Sequence, residues 1–304
     1  MILVVGATGR LGGLITRQLL AQGKTVRIVV RPNSPSAELA RAGMATSAQE
    51  LIDAGAQPVA ADLKDRTSLD AACAGVKTVI TTANAALRGG DDTFQTVDLE
   101  GTRNLINAAG AAKVQHCIYT STFGAAPEHP HPLYSAKGQS EAALKASGLI
   151  YTILQPTVFM EVWIPVVVGM PMRAGQPVTL VGEGRRKQAF VAVGDVMACA
   201  VAAVENPRAY NQTIIISDPT TYSWTEVTAS VGRAIGQPVP VQYVAPGVPI
   251  PLLPASMVPM LYAMELADTQ LPASDGAAAL GVTPTRLATF TQHFFGTPTP
   301  AGPR

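Results

Sequence analysis

The sequence predicts an α/β protein: a doubly wound parallel sheet followed by a smaller C-terminal α/β lobe. Three observations point there. An apolar stretch, Ile2 to Val5, runs into Gly6, Gly9 and Gly12, then into a segment with Leu11, Ile15 and Leu19 on one helical face. Downstream, β-branched runs alternate with helix-length amphipathic segments, the pattern parallel strands require because each is joined to the next by a crossover. Finally, 47% of the 304 residues are hydrophobic and 14% charged, enough apolar mass for one large core or a core with an attached lobe.

Each glycine of the first turn has a steric task. Gly6 lets the chain turn off the strand, Gly9 lets backbone N–H groups approach a pyrophosphate, and Gly12 lets the helix pack close to the strand. The whole turn, Gly6, Ala7, Thr8, Gly9, Arg10, Leu11 and Gly12, is therefore expected to hold a dinucleotide. After Gly23 a second strand, Thr25 to Val30, stops at Arg31-Pro32. In such folds the end of this strand meets the adenosine ribose, where a carboxylate binds the 2′-hydroxyl and an arginine binds a 2′-phosphate. Arg31 stands there with no acid beside it, and Arg10 is a second cation within the turn; both favour NADP(H).

Residues 36–54 read as one or two helices, more than this crossover needs. A third strand, Gln57 to Ala61, leads to Asp62 and Leu63 at the cofactor edge, with capping of the next helix an equal reading for Asp62. The fourth, Val76 to Thr81, leads to Thr82, Ala83 and Asn84. A helix from Asp92 to Ala112 places Phe94, Val97, Gly101, Leu105 and Ala108 on one face. The fifth strand, His116 to Thr120, delivers Ser121 and Thr122 to the carboxyl edge, along which open α/β sheets bind their ligands. A helix to Ala146 and a sixth strand, Ile150 to Gln155, bring the chain to Pro156. Residues 1–156 are expected to form the nucleotide-binding domain, 157–296 a lobe sharing its sheet, and 297–304 a disordered tail.

In the lobe, Phe159, Met160 and Trp163 are candidates for an apolar substrate pocket, with plain core an even alternative. Val178 to Val181 reads as a strand, Asp195 as the N-cap of a helix through Val204, and Ser223-Trp-Thr-Glu226 as a capping box. The proline-broken apolar stretch from Pro246 to Pro259 suits a lid or a homodimer surface, and is too interrupted for a membrane span of about 20 apolar residues.

Composition excludes other classes. A net charge of +1 without a basic run gives no footprint for nucleic acid. The N-terminal run has no basic region before it and is expected to be a core strand rather than a signal peptide. Cys73, Cys117 and Cys199, odd in number and without CxxC spacing, suit reduced core thiols of a cytoplasmic protein. His129 and His131 lack a third ligand, so no metal is expected. Neither GxSxG nor HExxH occurs to support hydrolysis.

The stretches GATGRLGG, VVRP, ADLKD, VDLEGTRNLINAAGAAKVQHCIYTST and SAKGQSEAALKASGLIYTILQP together resemble the atypical short-chain dehydrogenase/reductases, and among them the NmrA-like branch of quinone oxidoreductases and relatives of isoflavone and lignan reductases. The resemblance implies a Rossmann domain, NADP(H), and hydride transfer to an apolar carbonyl, quinone or conjugated enone. The branch also holds regulators that bind NADP(H) without turnover, and the fold carries non-redox enzymes such as isomerases. The superfamily's tyrosine stands four residues before its lysine, whereas Tyr134 is three before Lys137 and Leu133 fills the fourth place. One residue turns a helix by ~100°. The resemblance therefore assigns ribose binding and oxyanion stabilisation to Lys137, with Thr122, Tyr134 and His131 as candidate proton donors.

Overall fold

Ile2 to Val5 are buried on both faces, as a central strand of a covered parallel sheet must be. A computed structural model describes residues 1–31, 45–86, 88–272 and 276–296 of the chain. Seven parallel strands make its main sheet: β1 (Ile2–Val5), β2 (Val26–Val30), β3 (Gln57–Ala60), β4 (Thr78–Thr81), β5 (His116–Thr120), β6 (Ile150–Pro156) and β7 (Gln212–Ile216). Their order is β7-β6-β5-β4-β1-β2-β3, with Ile2 paired to Val26 on one side and Thr78 on the other. The chain winds outward to β3, then returns across β1 to β4. That reversal leaves a crevice at the carboxyl ends of β1 and β4, the place where doubly wound sheets take ligands.

The helices follow the crossovers: α1 (Arg10–Ala21), α2 (Ala48–Asp53), α3 (Arg66–Cys73), α4 (Thr102–Ala111) and α5 (Pro132–Ala146). Of the helical stretch expected over 36–54, Ala48–Asp53 is helix, while 36–44 lies outside the described residues, as does the tail 297–304. The helix expected from Asp92 begins later and differently. Its N-cap is Thr93, in a capping box with Thr96, and its first part, Phe94–Gly101, is π-helical before α4 takes over. Asp92 is left outside. The cap of α3 is Asp65, which accepts from the backbone N–H groups of Thr67 and Ser68. Asp62 is three residues too early to reach them and instead closes its own turn, accepting from Lys64 N–H at 2.9 Å.

The described structure separates into two units. The first comprises 1–156, 194–216 and 275–282, so the chain comes back to it to add β7. The second comprises 157–193, 217–274 and 283–304. It contains a parallel pair, Val178–Val181 with Val241–Val244, and a three-stranded sheet ordered Thr221–Tyr222, Gln188–Val191, Val158–Phe159. Phe190 meets Trp224 edge-on at 5.5 Å in its core. The Ser223–Glu226 capping box is formed and opens the helix Trp224–Ile235. Asp195 is not a cap: the helix runs Val193–Ala202 and holds it in its first turn. No helix among the described residues is long and apolar enough to cross a membrane.

Candidate dinucleotide site

The first turn is built as its glycines require. Gly6 has φ +86°, and a Cβ on Gly12 would lie 2.2 Å from the Gly6 carbonyl oxygen, so only hydrogen fits. The Thr82 hydroxyl donates to that carbonyl at 3.3 Å and ties the turn to the end of β4. The backbone of Ala83 packs beside it. Gly9, the N-cap of α1, has no side chain with which to satisfy the helix's first N–H groups, and no acid stands in the first turn. Ala7 is enclosed, and the Thr8 carbonyl accepts from Thr46 N–H at 2.8 Å. A backbone cradle that a Cβ would fill, at the positive end of a twelve-residue helix, fits a pyrophosphate.

At the neighbouring edge the expected Arg31 has company. Its guanidinium donates to Asp92 Oδ2 at 2.6 Å, Lys64 Nζ meets Oδ1 at 2.7 Å, and Arg88 reaches Oδ2 at 3.3 Å. Burial raises the Asp92 carboxyl, but hydrogen bonds from Lys64 and Arg31 outweigh it and hold it at about 2. Burial and the adjacent Arg31 charge lower Arg88, so the two guanidinium groups crowd each other. Arg10 makes no ion pair within the described residues. Leu63 is buried and its carbonyl accepts from the Asn104 side chain, while Asn84 folds back on Ala86 N–H.

The other end of the edge holds buried charge. Lys137, on α5, is 4% exposed; its Nζ lies 3.1 Å from Asp98 Oδ1 and donates to the carbonyls of Thr120 at 3.1 Å and Ala83 at 3.4 Å. The first belongs to the last residue of β5, the second to the segment just past β4. Burial lowers the Lys137 value, Tyr119 and Asp98 raise it, and the balance leaves it above an ordinary lysine. Asp98, fully enclosed, also accepts from Ala85 N–H at 2.9 Å. One turn beyond Lys137, Glu141 accepts from Ser121 Oγ at 2.5 Å and Gln155 Nε2 at 2.8 Å. The Ser121 hydroxyl is thus committed to Glu141, and the Pro156 carbonyl accepts from Phe123 N–H.

Tyr134 is stacked on His129 at 4.7 Å and edge-on to His131 at 5.5 Å. Burial raises its phenol, and a hydrogen bond with Thr122 pulls it back. The two histidines serve the loop: His129 accepts from His131 N–H, and His131 caps α5 by accepting from Leu133 N–H.

The profile of the NmrA-like family matches residues 1–282. The chain belongs to the NmrA-like family. It is 31% identical over 245 residues to the NAD(P)H azoreductase of Xenophilus azovorans, covering 81% of this chain and 77% of that protein. It is 32% identical over 236 residues to the photosystem II assembly factor Ycf39 of Synechocystis sp., covering 77% and 68%. Among solved structures, the NADPH-dependent quinone oxidoreductase QOR2 of Escherichia coli, complexed with NADPH, superposes with a TM-score of 0.72 at 23% identity, over 97% of this chain and 100% of that one.

In this NmrA-like chain, the residues expected to meet substrate divide. Met160 is enclosed in the core of the second unit, whereas Phe159 and Trp163 are half-buried. Sequence reasoning missed Asp98, Glu141, Lys64, Arg88 and Asp92. A signal existed for Asp98, an acid between Val97 and Leu99 on a face otherwise apolar, because such a charge must find a partner. Glu141 stands four residues after Lys137, on the same helical face.

Proposed function

We propose that the protein is an NADPH-dependent oxidoreductase that reduces an apolar carbonyl, quinone or conjugated enone. The observation that carries this reading is a lysine kept charged directly under the carboxyl edge of the sheet, along which the glycine cradle also lies. NADPH, held by the Gly6 to Gly12 turn and Arg31, supplies a hydride from nicotinamide C4. Lys137 contributes a fixed positive potential where negative charge develops on the reduced oxygen, and Asp98 with the two carbonyls keeps it in place. Tyr134, whose burial keeps the phenol protonated, and its partner Thr122 offer the proton. Phe159 and Trp163 are the residues proposed to meet substrate rings. The azoreductase and quinone oxidoreductase likenesses support redox work on extended π systems. A cytoplasmic setting suits the three thiols, which are free and buried, with burial raising Cys73 to about 11 and Cys117 and Cys199 to about 12.

A second reading, dinucleotide binding without turnover, is favoured by the likeness to an assembly factor. Mixing the protein and NADPH with a panel of quinones, enones and azo compounds separates the two. Loss of NADPH absorbance with at least one ring-bearing acceptor is expected; tight NADPH binding with no turnover of any acceptor selects the second reading.

A further inference from the structure

We infer that Asp92 is a built-in competitor for the 2′-phosphate of the cofactor, occupying the cation cluster that would otherwise bind it; the inference rests on the NADP(H) reading above. Three cations from three separate segments converge on this one carboxylate: Arg31 at the end of β2, Lys64 beyond β3, and Arg88 in the segment after β4. The acid side chain is 9% exposed, whereas the cations around it are 26–37% exposed, so the cations face outward and the anion lies among them. Such an arrangement is larger than a surface ion pair needs. Crowding Arg31 against Arg88 is unfavourable unless an anion lies between them, and a phosphate offers more charge and more acceptor oxygens than one carboxylate.

Asp92 is also placed so that it can yield. It precedes the Thr93 cap, so its withdrawal leaves the capping box and the following helix intact. Asp62 and Asp91 act on Lys64 as well, but neither forms an ion pair with it. The site's cations therefore choose between an internal carboxylate and an external phosphate, and NADH, which has no 2′-phosphate, cannot take part in that exchange.

The test is equilibrium binding of NADPH, NADH and 2′-AMP to the full chain, with no turnover involved. Asp92→Asn should tighten NADPH and 2′-AMP about tenfold, the size of one charge-assisted hydrogen bond, and leave NADH within about twofold. Asp91→Asn, an equal change of charge one residue away, should move all three by less than about threefold. Lys64→Ala and Arg88→Ala should each weaken NADPH and leave NADH unchanged, which keeps the idea testable if Asp92→Asn folds poorly by circular dichroism. If Asp92→Asn weakens NADPH, leaves it unchanged, or tightens NADH equally, the carboxylate organises the loop and does not compete. If the unaltered protein binds neither NADPH nor NADH, the cofactor reading itself fails; if it binds NADH as tightly as NADPH, the 2′-phosphate assignment fails.

Discussion

Both ends of the carboxyl edge pair cations with an aspartate, yet they differ in what surrounds the pair. Around Asp92 the cations are partly open to solvent, and among the described residues the partners of its carboxylate are side chains. Around Lys137 and Asp98 there is almost no exposure, and the other partners are mostly backbone: two carbonyls for the lysine, whose ammonium also lies 5.0 Å from the Tyr119 ring, and the Ala85 N–H for the aspartate. Exposed ions can trade one counter-charge for another, whereas a buried pair that loses a member leaves a charge with neither water nor counter-ion. The difference points to a division of work: the open cluster selects an anion, and the closed pair holds a fixed charge.

The largest expected effect comes from breaking the closed pair. Asp98→Ala should cost about 3–5 kcal/mol in urea unfolding, because the Lys137 ammonium is left uncompensated, and a neutral pair at both positions should recover most of it. A loss below about 1 kcal/mol would mean that the two ends are alike after all. In alkali the lysine's share fades: Lys137 has a raised value, so its stabilisation is present below the ordinary lysine range and is lost as pH rises through that raised value.

Next in size is selectivity. Arg31→Ala should remove about 1.5–3 kcal/mol of NADPH affinity while NADH changes little, read by fluorescence titration of both cofactors. Equal losses for the two would place Arg31 at a shared phosphate.

The smallest effect is that of pH on the open cluster. Asp92 is depressed from 3.8 to about 2, so its contribution is present above about pH 4 and fades as pH falls toward 2. Thermal melts of Asp92→Asn should lose that limb, by no more than about 1 kcal/mol since the cations are partly solvated, and high salt should mimic the substitution. A separate acid limb belongs to His116, which burial lowers from 6.5 to about 4: its stabilisation is present above pH 6.5 and is lost on the way down to 4.

The glycine turn was legible because its demands are local: a positive φ at Gly6 and a contact at Gly12 that admits no side chain. Arg31 was legible because a strand end fixes its place. Its partners were not, since Lys64, Arg88 and Asp92 come from other segments and meet only in the folded sheet. Asp98 was legible in part, since helical spacing puts it on the face of Phe94, Gly101 and Leu105, but its partner Lys137 belongs to another helix and meets it only in the folded chain. The choice of Asp65 over Asp62 as a cap turned on which acid stood next to Thr67 and Ser68 N–H, a matter of three residues.

If the closed end performs the chemistry, it does so through Lys137, and steady-state kinetics of NADPH oxidation with the best acceptor reads that directly. The variant to use is Lys137→Met in an Asp98→Asn background, which removes the ammonium without stranding a buried charge. The expected result is a fall in kcat of about 10²–10³ with NADPH affinity nearly unchanged, and a fall of less than about tenfold for Tyr134→Phe. A nearly normal kcat in the neutralised pair, with Tyr134→Phe inactive, would contradict it.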